Sequence, residues 1–434
     1  MISIMSVTLF IVLMFIGVPV SVSLVLATII CMMAGGYNLI LLPQQMGASI
    51  SSLELLAIPF FILAANLMTA LGMTRRIFDV AEAAVGWVRG GLAHANVVAG
   101  VIFSGISGAA VADAAALGSI SMKEMPRLGY APPFAAATVM AVATLGPIIP
   151  PSIMMVVYAI TADVSIARLF VAGIMPGFFI AAVISATIAL QIGLKWTPAP
   201  EPTRFSARKL GATLWSAALA LLAPVVILRG MASGWVTPTE AGVLACVYAM
   251  FVGLLERTLT VRAVADALIE TAEASALILF IIAASSALSY VFVSEGTAAE
   301  LSELMTRLSI GTTSFLIVSN LLLFILGCFI ETLPAMLIAV PLLVPTAKAL
   351  GVDLVHFGVI VIFNLIIGFM HPPIGIGLFI MMSISDLKFG ELAWAAVPFV
   401  LALLVALAVL TFVPEITLWL PNLLLPEPGK AVAR

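Results

Sequence analysis

Two acidic side chains stand inside otherwise apolar stretches of the sequence. Asp113 lies within FSGISGAAVADAAALG, and Glu331 lies within LGCFIETLPAM. A charged carboxylate at the centre of a bilayer costs at least about 2.5–3.5 kcal/mol, so such a residue normally faces a cavity, an ion or a partner. Both stretches also carry hydroxyl groups, at Ser104 and Ser107 in the first and at Thr332 in the second. Because Na+ prefers such hard oxygen ligands, the sequence predicts a cation site in each stretch; a hairpin end in the headgroup region is the alternative position for either acid.

A double proline interrupts a long apolar run after each acid. The first interruption is GPIIPPS over residues 146–152, and the second is MHPPIGIG over residues 370–377. Because proline lacks an amide hydrogen and clashes with the preceding turn, nearby carbonyls are expected to lose their helix hydrogen bonds. Free carbonyls at membrane depth need a partner; a cation can satisfy them, while the N-terminus of a half-helix offers amides to an anion. The alternative is a packing kink, which explains a single proline better than two double prolines.

The same order of features occurs twice along the chain. Charged amphipathic stretches over 75–89 and 262–273 come before the two small-residue breaks. Each break contains an acid and is followed by a proline, Pro126 or Pro345, and then by an interrupted helix. Each charged stretch fits a helix that lies along the membrane interface, and it fits an exposed extension of a span about as well. Paired, proline-broken helices in corresponding places are the sequence pattern of a repeat-built transporter.

The composition restricts the classes of protein that can carry these features. Hydrophobic residues make up 63% of the 434 residues, charged residues make up 9%, and the mean hydropathy is +1.26. A soluble fold of this composition would lack the polar side chains to cover its surface, and the absence of a basic stripe argues against nucleic acid as a partner. Many charge-free runs can cross about 30 Å of hydrocarbon. They predict an all-α polytopic membrane protein with roughly ten to twelve membrane segments.

Other residue patterns argue against other chemistry. The three cysteines are isolated from one another and the three histidines are scattered, so neither forms a metal or redox motif. No phosphate-binding loop of the P-loop type occurs, so we do not expect the chain to hydrolyse ATP. The basic, proline-rich linker over 195–209 favours the cytoplasmic side. The first apolar stretch is interpreted as a retained span, because it lacks the basic start of a signal peptide.

Seven ordered strings carry a family resemblance from about residue 50 to the C-terminus: IPFFILA, FSGISGAAVADAAALG, MPRLGY, GPIIPPSIMMVVYA, GCFIETLPAMLIAVPLLVPTAKALGVDLVHFG, NLIIGFMHPPIGIGLF and VPEITLWLP. With them the chain resembles the large membrane subunit, or M-type permease, of tripartite ATP-independent periplasmic (TRAP) transporters. The resemblance implies a sodium-coupled importer of small organic acids, such as a C4-dicarboxylate or sialic acid, in the bacterial inner membrane. It implies a small membrane subunit (Q-type) and a soluble periplasmic binding protein (P-type) as partners, Na+ as coupling ion, no other cofactor and no enzymatic activity.

The fold implied by the resemblance is an inverted-repeat elevator with two re-entrant hairpins, over about 92–124 and 314–346, and two broken helices, over about 132–160 and 354–384. The predicted divisions are scaffold spans over 1–74, an interfacial arm helix over 75–91, the first transport repeat over 92–165, scaffold spans over 166–259, a second arm helix over 260–274, a span and connection over 275–313, the second transport repeat over 314–389, and a last scaffold span with the C-terminal tail over 390–434.

The same resemblance implies which residues bind ions and substrate. For one sodium ion it implies Ser104, Ser107, Gly108, Asp113, Gly146, Ile149 and Pro151, and for a second it implies Gly327, Glu331, Thr332, Gly368 and Met370. For the substrate it implies Ser107, Ala109, Ser152, Thr332, His371, Pro373 and Gly375. Two of these positions depart from the family pattern, since many relatives have Ser at the position of Ala109 and Thr at that of His371. The departures leave the number of ions and the substrate contacts open.

Two other functions compete with this interpretation. Residues 105–108 read Gly-Ile-Ser-Gly, which is the form of a serine protease motif, but a buried serine needs a general base within hydrogen-bond reach. A short match in a stretch rich in small residues is weak, and the duplication gives a protease no evident benefit. The second rival is a one-component dicarboxylate or citrate carrier of the same general architecture. Dependence on a binding protein distinguishes it from a TRAP permease.

Overall fold

The structure is a computed structural model that describes residues 2–201, 204–297, 300, 303, 311–372 and 374–425, and these residues form helices and their connections. Three sequence predictions lie partly or wholly outside them: Pro373, the later part of the connection before residue 311, and the tail beyond residue 425. The helices are, in chain order, α1 (Ile2–Phe15), α2 (Val20–Ala34), α3 (Leu41–Ser49), α4 (Ala57–Ala70), α5 (Met73–Val85), α6 (Gly91–Ser107), α7 (Ala110–Arg127), α8 (Pro132–Ala143), α9 (Ile153–Ala162), α10 (Ile166–Gly193), α11 (Ala207–Ala232), α12 (Pro238–Leu255), α13 (Val261–Ser294), α14 (Thr312–Phe329), α15 (Thr332–Ala349), α16 (Leu354–Ile367), α17 (Ile376–Ile384), α18 (Phe389–Phe412) and α19 (Glu415–Leu424).

Many of these helices have the length and composition of membrane spans. Within the described residues, eight are long and apolar enough to cross a membrane, and six shorter apolar helices accompany them. The predicted roughly ten to twelve segments fall between the eight long helices and the set that includes the short ones. The all-helical class is confirmed, and so are the two helical hairpins (α6–α7 and α14–α15) and the two interrupted helices (α8–α9 and α16–α17).

The two hairpins and interrupted helices repeat with a constant spacing along the sequence. The offset between the helices α7 and α15 is the same at both ends, from Ala110 to Thr332 and from Arg127 to Ala349. The starts of α8 and α16 differ by this same offset. The register aligns Asp113 with Ala335 rather than with Glu331. The two acids that the sequence pattern presented as counterparts therefore occupy different positions in their repeats, and Pro126 is likewise not the counterpart of Pro345.

The helices pack into two groups. In the first, α4 lies against α12 and α13, while α2 and α3 pack on α13 and α11 packs on α12. The second group contains both hairpins and both interrupted helices, and α10, α18 and α19 pack against its members. This packing differs from the predicted division of the chain. The predicted scaffold ranges 166–259 and 390–434 contain α10 and most of α18, but α18 lies against α8 and α16, and α10 lies against α6 and α16.

The two predicted arm helices differ in form. The first is a separate helix, α5, which begins after Gly72 in the left-handed conformation (φ 75°) and ends at Gly86. The second, predicted over 260–274, has no end at residue 274, because α13 continues without a break from Val261 to Ser294. The structure therefore corresponds, for the second stretch, to the alternative that the sequence left open, an extension of a span. The α13 helix also packs on α15 of the second hairpin.

Candidate functional site

The tip of the first hairpin lies directly on the break in the first interrupted helix. Gly108 ends α6 in the left-handed conformation (φ 61°), which lets the chain reverse into α7. A Cβ atom at this position would lie 2.6 Å from the carbonyl oxygen of Pro151 and 3.3 Å from the amide nitrogen of Ile153. Gly108 is thus required twice, for its backbone conformation and for the close approach of two backbones.

Asp113 lies inside this junction. Its side chain is fully buried (0% exposed), it accepts a hydrogen bond from Ser104 Oγ to Oδ2 at 3.0 Å, and it accepts another from Ser107 Oγ to Oδ1. A Cβ atom on Gly146 would lie 2.6 Å from Asp113 Oδ2, so the carboxylate lies close to the backbone of Gly146 at the break and leaves no room for a side chain there. The structure thus brings together four of the residues predicted for the first cation, and their carboxylate and hydroxyl oxygens form a cluster of hard ligands.

Ser152 has a defined place in the same break. Its hydroxyl donates to the Pro147 carbonyl at 2.7 Å and accepts from the Met155 amide at 3.3 Å, which caps the N-terminus of α9. The side chain is only 1% exposed. Ser152 therefore joins the two halves of the interrupted helix, a role that the sequence-based assignment to the substrate did not include. Of its neighbours, Pro151 is buried, and Ile149 is half-buried and packs against Gly177 of α10.

The second hairpin meets its interrupted helix through glycine. A Cβ atom on Gly368 would overlap the carbonyl oxygen of Gly327, and a Cβ atom on Gly327 would lie 3.1 Å from the Leu365 carbonyl oxygen. Gly327 and Gly368 were both predicted for the second cation, and the structure brings them into backbone contact. Leu365 was missed, because a residue that contributes only its carbonyl leaves no signal in its side chain.

The remaining residues predicted for the second site differ in accessibility. Thr332 and Met370 are buried, at 6% and 0% exposed. Glu331 is exposed and stands as the N-cap of α15, and no side-chain capping bond is formed at this position. Asp113 and Glu331 therefore differ in their surroundings: one carboxylate is enclosed by hydroxyl groups and backbone, and the other belongs to an exposed residue at the start of a helix.

The predicted substrate residues lie around both tips. Ala109 is the extended residue before α7 (φ −140°) and is half-buried. His371 is also half-buried; its Nδ1 lies 3.4 Å from Cys328 Sγ, and its ring lies edge-on to Phe324 with the centroids 4.8 Å apart. Gly375 is buried before α17, where a Cβ atom would lie 2.8 Å from the His371 carbonyl oxygen. His371 thus contacts the first helix of the second hairpin, so its environment is set by both elements of the second repeat.

The two repeats meet at their breaks. The α15 helix packs on α9, and the short 3-10 turn Gly368–Met370 packs on α8. Helix N-termini carry partial positive charge and unpaired amides, which favour anions, and α7, α9, α15 and α17 all begin at the tips or breaks. No Lys or Arg occurs in residues 90–122 or 308–347. The site therefore combines oxygen ligands for a cation with helix amides for an anion.

Comparisons with known proteins identify the class of protein that this architecture represents. The family described as "Tripartite ATP-independent periplasmic transporter, DctM component" matches residues 7–416. The sialic acid TRAP transporter large permease protein SiaM of Vibrio cholerae is 37% identical over 420 residues, which cover 95% of this chain and 97% of that protein. The C4-dicarboxylate TRAP transporter large permease protein DctM of Pseudomonas aeruginosa is 39% identical over 369 residues, covering 85% and 86% of the two chains.

The chain belongs to the DctM component family of TRAP transporters and is a polytopic protein of the bacterial inner membrane. Among solved structures, the YdaH transporter of Alcanivorax borkumensis is similar, with a TM-score of 0.56 and 16% identity over 84% of this chain and 86% of that one. This likeness concerns the fold alone. It supports an overall arrangement that is shared with a transporter of distant sequence.

Proposed function

We propose that the chain is the membrane permease of a sodium-coupled importer of small organic acids. The observation that carries the proposal is the complete burial of Asp113 among Ser104, Ser107 and the backbone at Gly146. A carboxylate enclosed at membrane depth is costly without a compensating charge or partner. A sodium ion at this junction would neutralise Asp113 and use oxygen ligands that are already assembled. A second ion would lie at Gly327 and Gly368, where two carbonyl-bearing breaks touch.

The anionic substrate would bind between the two tips. Because no Lys or Arg lies within either hairpin tip, the negative charge would be balanced by the bound cations and by the N-termini of the half-helices. Cation and anion would then stabilise each other's binding by the same free energy, which is the requirement for coupled transport. Two relatives are named as permeases for sialic acid and for C4-dicarboxylates, which makes these acids the first candidates.

Movement would occur between the two groups of helices. The group that contains the hairpins, the interrupted helices, α10 and α18 would carry ions and substrate, and the group around α4, α12 and α13 would remain fixed. This is an elevator mechanism, with α5 and the first turns of α13 as the connections between the groups. The family membership supports two partners, a small membrane subunit and a periplasmic binding protein that delivers the acid.

The proposal predicts that Asp113→Ala abolishes sodium-dependent uptake while the chain still inserts in the membrane. The measurement is uptake of labelled sialic acid and C4-dicarboxylates into proteoliposomes, with the small subunit and binding protein present, with and without a sodium gradient. Asp113→Asn keeps the shape of the side chain and removes its charge, so it should also reduce uptake to the level without sodium. Asp386→Asn, at an exposed aspartate beyond α17, is the matched control and should transport normally.

Normal sodium dependence in Asp113→Asn would overturn the assignment of the ion. The protease alternative makes a different prediction for Ser107, which is 3% exposed and donates its hydroxyl hydrogen to Asp113. If Ser107→Ala removed peptide cleavage by the purified chain, the transporter function would be wrong. If it weakened sodium-coupled uptake instead, the carrier function would be supported. Uptake that does not need the binding protein would favour a one-component carrier.

A further inference from the structure

Two asparagines form a partly buried polar link in the second repeat, outside the residues assigned to ions or substrate. Asn364 is fully buried (0% exposed) in α16, whose residues are otherwise apolar apart from His356, and Asn320 lies opposite it on α14. The Asn364 Nδ2 group donates to the Asn320 Oδ1 at 2.7 Å and to the Asn320 backbone carbonyl at 2.9 Å. The link therefore fixes the first helix of the hairpin to the first half of the interrupted helix.

A third helix completes this link. The Asn320 Nδ2 group donates to Thr411 Oγ1 of α18 at 3.1 Å, and the Thr411 hydroxyl donates to the Leu407 carbonyl in its own helix at 2.7 Å. Thr411 is itself buried, at 2% exposed. Each amide and hydroxyl is thus held in one orientation by the next, so α14, α16 and α18 are tied together at one level.

The first repeat has valines where the second has this link. With the offset that relates α7 to α15, Asn320 and Asn364 correspond to Val98 and Val142. Val142 packs tightly against Gly100, so closely that a Cβ atom on the glycine would overlap it. The same helix crossing is therefore made by apolar packing in one repeat and by two amides in the other. Apolar packing is sufficient to form the crossing, and the amides need a different explanation.

The stability of the folded chain does not explain why the second repeat has the two asparagines. The Asn364 Oδ1 atom is buried and has no hydrogen-bond partner in the described part of the chain. An unsatisfied buried acceptor costs free energy, and replacement of a polar pair by apolar groups of similar shape can be neutral or stabilising. A valine pair, as in the first repeat, would avoid this cost. The asparagines are better explained by what they hold in place.

Asn320 and Asn364 lie beside the contact between Gly327 and Gly368, where the second hairpin meets its interrupted helix. Asn364 is four residues before Gly368, and Asn320 is seven residues before Gly327. At 3.6 residues per turn, four and seven residues return to nearly the same helix face, about 6 Å and 10 Å along the axes. The link and the glycine contact therefore share one face of each helix. Rotation or sliding of α14 on α16, which the link opposes, would change the distance between the Gly327 carbonyl and Gly368.

We propose that Asn320 and Asn364 are positioning residues for the second cation site. The inference rests on the proposed function, because it requires that Gly327 and Gly368 bind sodium. In the first repeat Asp113 reaches the break itself and can adjust its carboxylate to the ion. The second repeat has Ala335 at that position, so its ion would depend on backbone oxygens, which move only with their helices. The amide link keeps those helices in register.

Sodium binding to the purified full chain tests the inference without a substrate. Equilibrium binding of 22Na+ to wild type should show two components. Asn364→Val, and the double variant Asn320→Val with Asn364→Val that reproduces the first repeat, should weaken one component by about tenfold or more, the effect expected for loss of one or two net hydrogen bonds. The thermal midpoint of the double variant without sodium should stay near that of wild type, because replacement of both partners by apolar groups can be neutral. Asp113→Asn should remove the other component.

A pair of threonine variants keeps the test valid if the asparagine variants fail to fold. Thr411→Val removes the acceptor for Asn320 and should weaken the same component by a smaller factor. Thr187→Val is its control, since the Thr187 hydroxyl also donates to a carbonyl four residues back, that of Val183 at 2.8 Å, and it should bind sodium normally. Wild-type affinity in Asn364→Val or in Thr411→Val would overturn the positioning role alone. Absence of sodium binding in wild type would instead overturn the proposed function.

Discussion

The two repeats have the same backbone plan and different chemistry at the point where hairpin and interrupted helix meet. Both place a hairpin tip on a break, and one constant offset along the sequence relates the two. In the first, a buried carboxylate with two serine donors fills the junction. In the second, two glycine backbones close directly on each other, and the acid of that hairpin, Glu331, is an exposed residue at the start of α15.

This difference shows that the duplication repeats the backbone features of the site but not its charged side chain. The duplication supplies helix ends, free backbone groups and their approximate positions, which follow from glycine and proline and repeat faithfully. Charge is supplied by individual side chains and appears at one junction only. We therefore expect the two ions to be held differently, one by a carboxylate that neutralises it and one by neutral oxygens whose positions depend on packing. Substitutions that alter packing should affect the second site more, and substitutions of polar side chains should affect the first.

The largest effect is expected from Gly368→Ala. The added methyl group would overlap the Gly327 carbonyl oxygen, and both partners are backbone, so the hairpin must separate from α16. Overpacking of this kind costs about 1–3 kcal/mol or more, and here it would fall on the junction itself. Sodium-coupled uptake should be lost, as measured in proteoliposomes.

Gly390→Ala is the matched control for that variant. Gly390 lies in the first turn of α18, and nothing stands within 4 Å of the position that a Cβ atom would take. Its uptake should equal that of wild type. If Gly368→Ala transported as well as Gly390→Ala, the close contact between Gly327 and Gly368 would have no part in binding. The claim that the second ion depends on backbone packing at this contact would then be wrong.

A smaller effect is expected from Ser104→Ala at the first junction. The variant removes one of the oxygen atoms proposed as ligands of the first ion, while Ser107, Asp113 and Gly146 remain in place. The sodium concentration for half-maximal uptake should rise by about tenfold or more, and the maximal rate should persist. Ser119→Ala is the control, because its exposed hydroxyl donates to the Ala116 carbonyl within α7. Equal sodium dependence in the two variants would contradict a ligand role for Ser104.

The sequence predicted the fold and the first junction better than the second. Glycine and proline determine where helices end, so both hairpins and both breaks could be located, and a lone acid such as Asp113 is conspicuous in an apolar run. The same rule predicts a site at Asp113 and at Glu331, and the structure buries the first residue and leaves the second exposed, a difference that is not visible in one sequence. The Leu365 carbonyl could not be predicted at all. Asn364 was visible as a polar residue in an apolar run, but its partner Asn320 lies 44 residues away.

The smallest effect is expected at the two charged stretches, which differ as the repeats do. On α5, Arg76 pairs with Glu256, the residue that follows the end of α12, and their side chains are 31% and 17% exposed. On α13, Arg262 pairs with Asp266 at 3.8 Å within its own helix, and those side chains are 91% and 62% exposed.

An exposed pair contributes about 0–1 kcal/mol, whereas a partly buried pair that loses one partner leaves a charge without compensation. Arg76→Gln should therefore lower the thermal unfolding midpoint by a few degrees, and Arg262→Gln should leave it unchanged. Equal midpoints would mean that the Arg76–Glu256 pair does not stabilise the packing of α5, and the two stretches would then differ in helix continuity rather than in the strength of this pair.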